Sequence, residues 1–512
     1  MTVASYTLYI DWNNDGDYGD ANESFANTFV SAQIQRGFSN PLARVAMVGR
    51  AMFVLDNSDR TFSPPLDSDI VPRRPVKFDM AYGGNTETLF EGYIDSIIPE
   101  MGQFGTQLVR IECVDAMALL DRFEGPVDLT LNTFADEIIE DAVDAVYTPA
   151  STSYESGISP FPVSGDRWAY SDGLTPEQSA LGDRPQEAPR ASVKIQNACS
   201  SDWGNFFIAS DGVPTYYNRH HNLEPSSALT LDDTMLSMSY ILGVSDVYNH
   251  VEVTCFPRVL GEINEVLGEL SQSSAPLIDA GETETFIIRF RDPSNSSQRL
   301  GGRECITPVA NTDFEATDDE PGAGTDVRAD VTPTATFYGD HAEIEMENTG
   351  EYPVYIQKLQ VRGLAVRVRE PVTMVTEDAT SIAAYEKRGL EISATLMSRQ
   401  TDAKALADYL CDRYKDPLHN INGVVFDANK NATFIAAARD LDLLDVVTLT
   451  ETQTGHSSFE GAIYQLQHQI LNDDRNYRNH TVTMALDSIY TYTGDPWIWD
   501  TSKWDGGDVW VY

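Results

Sequence analysis

The sharpest chemical pattern in the chain is DWNNDGD over residues 11–17, where Asp11, Asn13, Asp15 and Asp17 alternate around Gly16. Hard oxygen donors at alternating positions with a turn glycine suit calcium, and the run nearly matches the start of an EF-hand loop. The match then departs from the pattern. The twelfth loop position falls on Asn22, and Glu23 comes one residue late. The flanks also read as strand rather than helix. Two readings stand: a calcium loop, with calcium as the one cofactor the chain could take, and a polar turn whose Asp and Asn side chains bond their own backbone.

A second cluster lies in the last 16 residues, WIWDTSKWDGGDVWVY, which hold four of the seven tryptophans: Trp497, Trp499, Trp504 and Trp510. Trp497 and Trp499 share a face if the segment is extended. Such rings can bind a partner or a sugar face, or can seal a β-unit. Other chemistry is sparse. The eight histidines include one close pair, His220 and His221, which would point to opposite faces of a strand. No H-E-x-x-H, G-x-S-x-G or G-x-x-x-x-G-K-[ST] pattern occurs. Carboxylates are so frequent that no glycosidase-like pair stands out. The five cysteines (Cys113, Cys199, Cys255, Cys305 and Cys411) are far apart, with no C-x-x-C. No catalytic residue is assigned, and a non-enzymatic role is expected.

Charge excludes more than the motifs do. Asp plus Glu number 79 against 35 Lys plus Arg, a formal net charge of -44 over 512 residues. Stable binding to nucleic acid or to anionic lipid needs clustered positive charge. The acidity suits solubility or a salty medium, or a surface that DNA must pass without sticking. The run MTVASYTLYIDWNNDGDYGD lacks a basic stretch followed by an apolar core, so no signal peptide is expected. No segment offers the roughly 20 apolar residues of a membrane span, and no stable membrane insertion is expected.

These residues would be positioned by a chain that is mainly β with a few helices. Strand patterns cover 5–11, 44–55, 75–80, 88–98 and 108–114. The first helix is expected over Thr133 to Val146, with Ile138, Ile139, Ala142, Val143 and Val146 forming one apolar stripe. Residues 148–190 are rich in Pro, Ser, Gly and Asp and read as a long excursion. A short helix from Ser192 and a hairpin around Ser210-Asp211-Gly212 follow, then a strand over 247–256. More strands fill 285–361, with Asn348-Thr349-Gly350 as a turn and 311–330 as an acidic loop. A helix over Asp402 to Tyr414, with Thr401 as its cap, leads into strands over 421–426, 446–451, 459–470 and 481–489. The divisions expected are 1–125, 126–280, 281–369 and 370–490, with 491–512 as a tail.

Several phrases resemble tail-hub or tail-tip proteins of long-tailed bacteriophages. They are VRIECVD over 109–115 followed by 116–120, VYN over 247–249 running to Pro257 and Arg258, LQVRG over 359–363, LDLLDVVTL over 441–449 leading through Gly455 to 462–470, and the tryptophan-rich end. Together they span residues 44 to 512, and their order carries the resemblance. It implies two hub-type β-barrel-like domains, 1–125 and 370–490, plus a β-sandwich-like domain inserted at 281–369. It also implies a structural virion protein at the distal end of the tail, made in the host cytoplasm. Such a protein would form a homotrimeric ring between the tail tube or distal tail protein and fibre or central spike proteins, and would let genomic DNA pass. Two other roles stay open: a host-surface binding tail protein that contacts glycans or a receptor, and a tail-associated cell-wall hydrolase.

Overall fold

The computed structural model describes residues 4–15, 17–26, 28–100, 107–123, 131–147, 169–170, 177–178, 190–222, 226–270, 274–293, 295–320, 322–473 and 477–489. Alternating burial turns the amino-terminal strand patterns into one face of a sheet. In Arg50–Asp56, Ala51, Phe53 and Leu55 point inward while their neighbours do not. This strand starts six residues later than its sequence pattern suggests, because residues 44–49 leave the sheet. Gly49 there passes so close to Asp115 that a Cβ would lie 2.3 Å from its carboxylate.

The chain is mainly β and multidomain, with few helices, but no described sheet closes into a barrel or curls strongly. The expected pair of barrel-like domains is therefore wrong. Amino- and carboxy-terminal strands instead join in one open 13-stranded sheet. From one edge its order is Ser237–Leu242, His419–Asp427, Tyr477–Ser488, His456–Asp473, Ser31–Gly37, Arg50–Asp56, Leu108–Val114, Asn85–Glu100, Pro75–Tyr82, Ser5–Ile10 and Ser24–Ala26. Ser227–Leu231 and Val446–Glu451 branch from it. The physical cause is the length of His456–Asp473, at 18 residues. Its first part pairs with Val446–Glu451, and its second part, Gln465–Leu471, takes Ser31–Gly37 on the same edge. Strands that would need to return on themselves to close a barrel are thus satisfied by the other half of the chain.

The core under this sheet is shared in the same way. Tyr6, Phe29, Phe53, Phe78 and Phe90 pack with Phe426, Leu466, Ile470, Val482 and Met484 in one cluster. Tyr6 stacks on Phe78 at 6.1 Å, and Phe29 meets Phe78 edge-on at 5.4 Å. Each fully buried phenylalanine contributes about 2 kcal/mol of transfer free energy.

Helices cover other faces. Ala135–Tyr147 buries the apolar stripe read from sequence and packs with Ala191–Asp202. Gln400–Tyr414 packs on a three-stranded sheet of Val372–Glu377, His250–Cys255 and Gly389–Ala394. It begins at Gln400 with Arg399 at the cap position, so Thr401 lies inside the helix and is not its cap. A helix with no counterpart in the sequence reading, Ala432–Asp440, is capped by Asn431, whose Oδ1 accepts the Phe434 N–H at 2.8 Å. No described helix is long and apolar enough to cross a membrane.

Between Arg258 and Val368 two further sheets share a separate core. Thr283–Arg289, His341–Asn348 and Val331–Phe337 form one, and the long strand Val354–Val368 organises the other. Residues 311–330 are less open than their acidity suggests. Phe314–Thr317 is a strand, and Asp313 is buried with its carboxylate gripped by both Arg362 Nε (2.6 Å) and Nη2 (2.9 Å). Burial works against the Asp313 charge, yet the Arg362 fork holds its pKa below the usual carboxylate range.

The two halves approach closely at Gly37, whose φ of 136° favours glycine. A Cβ there would lie 2.4 Å from the Tyr464 carbonyl oxygen. Gly37→Ala is therefore expected to cost about 2 kcal/mol or more, read as a lower urea midpoint. An unchanged midpoint would show that the junction is soft.

Candidate functional site

Asp11, Asn13, Asp15 and Asp17 lie in one loop joining Ser5–Ile10 to its antiparallel neighbour Ser24–Ala26. The structure places all four in this loop, Asn13 touches Asp15, and local backbone occupies several of their oxygens. The Asp15 N–H donates to Asp11 Oδ1 (3.2 Å) and Asn13 Oδ1 (3.1 Å). Asp15 Oδ1 accepts the Asp17 N–H at 3.1 Å, and Asp17 Oδ1 accepts the Gly19 N–H at 2.7 Å. The Asn13 amide bridges Asp15 and Asp20 at 3.1 and 2.7 Å. Glu23 ties the loop shut from beneath, accepting the Trp12 N–H at 3.2 Å and the Asp20 N–H at 3.0 Å. Burial first, and then the nearby Asp11 and Asp20 charges, raise the Glu23 pKa, while the two backbone donors oppose them. Among the described residues no group of three or more His, Cys, Asp or Glu is arranged to hold a metal ion. The loop caps one end of the large sheet, where the terminal strand is three residues long.

The opposite end of that sheet is built differently. Its edge strand Ser237–Leu242 bonds to His419–Asp427 on one side and to no described strand on the other. Natural edges are usually short, charged or covered. This one exposes Tyr240, Ile241 and Leu242, flanked by exposed Leu236 and Val244. The Tyr240 ring stacks on His419 at 5.9 Å and meets His456 edge-on at 4.6 Å. Sequence reading did not single this segment out, although LSMSYIL over 236–242 alternates apolar residues at 236, 238 and 240 and ends on the apolar run 240–242. Trp497, Trp499, Trp504 and Trp510 lie outside the described residues.

A buried polar chain crosses the sheet interior. The Tyr6 hydroxyl lies 2.9 Å from His480 Nδ1, and His480 Nε2 lies 3.0 Å from His468 Nδ1. All three residues are almost wholly buried. Burial drives the His468 pKa down to about 3, with Arg36 adding to the effect, and drives His480 well below its ordinary value. The chain links the first strand to the last hairpin through side chains that sequence separation hides.

No protein-family model matches the chain, and no curated protein matches it. Among solved structures it is similar to a tail protein from Neisseria meningitidis MC58, at 7% identity and TM-score 0.48, covering 94% of this chain and 96% of that one. It is similar to a 43 kDa tail protein of prophage MuSo2 from Shewanella oneidensis, at 10% identity and TM-score 0.47, covering 95% and 98%. It is also similar to the E. coli c3393 protein, a type VI secretion component, at 9% identity and TM-score 0.39, covering 96% and 80%. With TM-scores under 0.5 and so little identity, these likenesses decide neither the fold nor the role of the chain.

The histidine pair generates a pH prediction. Both pKa values are depressed in the fold, so their contribution is fully present above the unfolded value of 6.5 and is lost as pH falls towards about 3. Each histidine removes up to about 1.4 kcal/mol per pH unit in that window. Burial pushes Asp115 up to about 7 and Asp445 up to about 6, which acts in the opposite sense. The measurement is therefore a difference: the double variant His468→Gln/His480→Gln should lose stability less steeply than the parent between pH 6.5 and 3. Parallel slopes would refute the assignment.

Proposed function

We propose that the protein is a structural component of a phage-type long tail, a hub at the distal tip that assembles with further copies of itself. The observation that carries this reading is the apolar edge strand Ser237–Leu242, which ends a 13-stranded sheet, among the described residues, without the charges, brevity or cover that keep natural edges unpaired. An edge of this kind suits a permanent neighbour. In a closed ring the contact is heterologous, so the edge meets a different surface of the next subunit. The ordered phrases that resemble tail-hub proteins give the context, and a homotrimer is the assembly they imply. Tail-tube or distal tail proteins would lie on one side of the ring, and fibre or spike proteins on the other. A net charge of -44 suits a wall past which DNA moves without binding.

The test combines electron microscopy with solution mass on the full chain. A three-fold ring with an open centre is expected. Ile241→Lys should reduce the mass to that of the monomer while leaving the thermal midpoint of the subunit within a few degrees, since Ile241 is exposed in the isolated chain. A solid elongated trimer, or an assembly indifferent to this substitution, would overturn the reading.

A further inference from the structure

In a chain with a large excess of negative charge, three guanidinium groups converge on one small cavity. Arg44, Arg219 and Arg413 line it together with Trp203, Tyr409 and Asp487, around a volume of about 70 Å³. It lies where the segment after Ser31–Gly37, the end of helix Ala191–Asp202, the last turns of helix Gln400–Tyr414 and the end of Tyr477–Ser488 come together. The space holds several waters or one small oxyanion.

The three arginines are not equivalent. Arg219 is paired with Asp202, its Nη1 lying 2.8 Å from the Asp202 carbonyl oxygen and 3.3 Å from its carboxylate. Arg413 Nη2 donates to Asp487 at 2.7 Å, but its Nε is buried with no hydrogen-bond partner. Arg44 is buried and has no carboxylate partner among the described residues. Its Nε donates to the Leu42 carbonyl at 3.1 Å and its Nη2 to the Pro41 carbonyl, and its guanidinium lies 4.7 Å over the Trp203 ring. A guanidinium has five N–H donors and cannot lose its charge. Two carbonyls and a ring face hold it, and Asp487, the carboxylate whose charge acts on it, is already bonded to Arg413. The Tyr414 hydroxyl, almost wholly buried and in the same electrostatic group as Arg44, Arg413 and Asp487, also has no partner. Among the described residues three guanidiniums share two carboxylates, Asp202 and Asp487, and unmet donors beside such an excess of buried positive charge are costly. An oxyanion in the cavity offers Arg44 and Arg413, which line it, several acceptor sites and negative charge.

We propose that this cavity is a binding site for one small inorganic oxyanion of the phosphate class, held chiefly by Arg44 and Arg413. The field of the whole protein repels anions, so occupancy depends on this local arrangement. The proposal does not rest on the assembly reading above, because the residues that line the cavity belong to one chain.

The test is calorimetric titration of the full chain with sodium phosphate at ionic strength held constant by sodium chloride, with a parallel titration by sodium acetate. A saturable one-site heat with phosphate is expected, together with a thermal midpoint that rises in phosphate relative to chloride. Arg44→Gln should weaken phosphate binding about tenfold or more, since it removes the excess positive charge of the group. Tyr409→Phe keeps every charge but removes the hydroxyl that bonds Arg413, and is expected to fold and to bind more weakly than the parent. It serves as the reading if Arg44→Gln does not fold. Saturable binding of acetate at comparable affinity would overturn the assignment to the phosphate class. Absence of a saturable heat with either ion, or equal affinity in the parent and both variants, overturns the proposal.

Discussion

The antiparallel pairing of Ser31–Gly37 with Gln465–Leu471 is the constraint on which the rest of the molecule depends. It joins strands more than 400 positions apart in sequence and turns two local sets of hairpins into one sheet. Such a contact forms only after a long loop is closed, and closure entropy grows slowly with length, so its cost is tolerable once the interface is large. The interface is large here because the same strand, His456–Asp473, also carries Tyr477–Ser488 along its other edge. The Tyr6–His480–His468 chain and the shared aromatic core both sit behind this seam. Loss of the seam would expose both at once.

How much of this was legible depended on the range of the interaction. Local periodicity marks the stripe of Ala135–Tyr147, the strand Val446–Glu451 and the hairpin of Asn205–Ile208 with Pro214–Tyr217. Each depends on neighbours a few residues away. The expectation of closed barrels failed because closure is a property of pairing, and no period-2 pattern says which strand is next door. Helix Ala432–Asp440 was missed because TFIAA reads equally as a buried strand; only the Asn431 cap distinguishes it. The Arg44 cavity was beyond reading for a different reason. Its arginines come from positions 44, 219 and 413, and each alone looks like an ordinary surface charge.

The two ends of the large sheet show how one architecture treats exposure in opposite ways. At the Ser24–Ala26 end a three-residue strand and a loop dense in Asp and Asn keep other chains away, and the loop spends much of its polarity on its own backbone. At the Ser237–Leu242 end apolar side chains stand in the open. A fold under selection only for solubility would guard both edges alike. The asymmetry is what gives the sheet a direction.

The strands that frame residues 258–368 have a consequence for how such a chain can change. Arg258–Leu260 pairs antiparallel with Val366–Val368, and the Arg369 N–H donates to the Pro257 carbonyl at 2.9 Å. The chain therefore leaves the frame and rejoins it through a single ladder, as a cartridge sits in a socket. Whatever lies beyond that ladder has its own core and imposes no rethreading on the remainder. Recombination can lengthen, trim or replace the cartridge while the socket, and the sheet behind it, stay as they are.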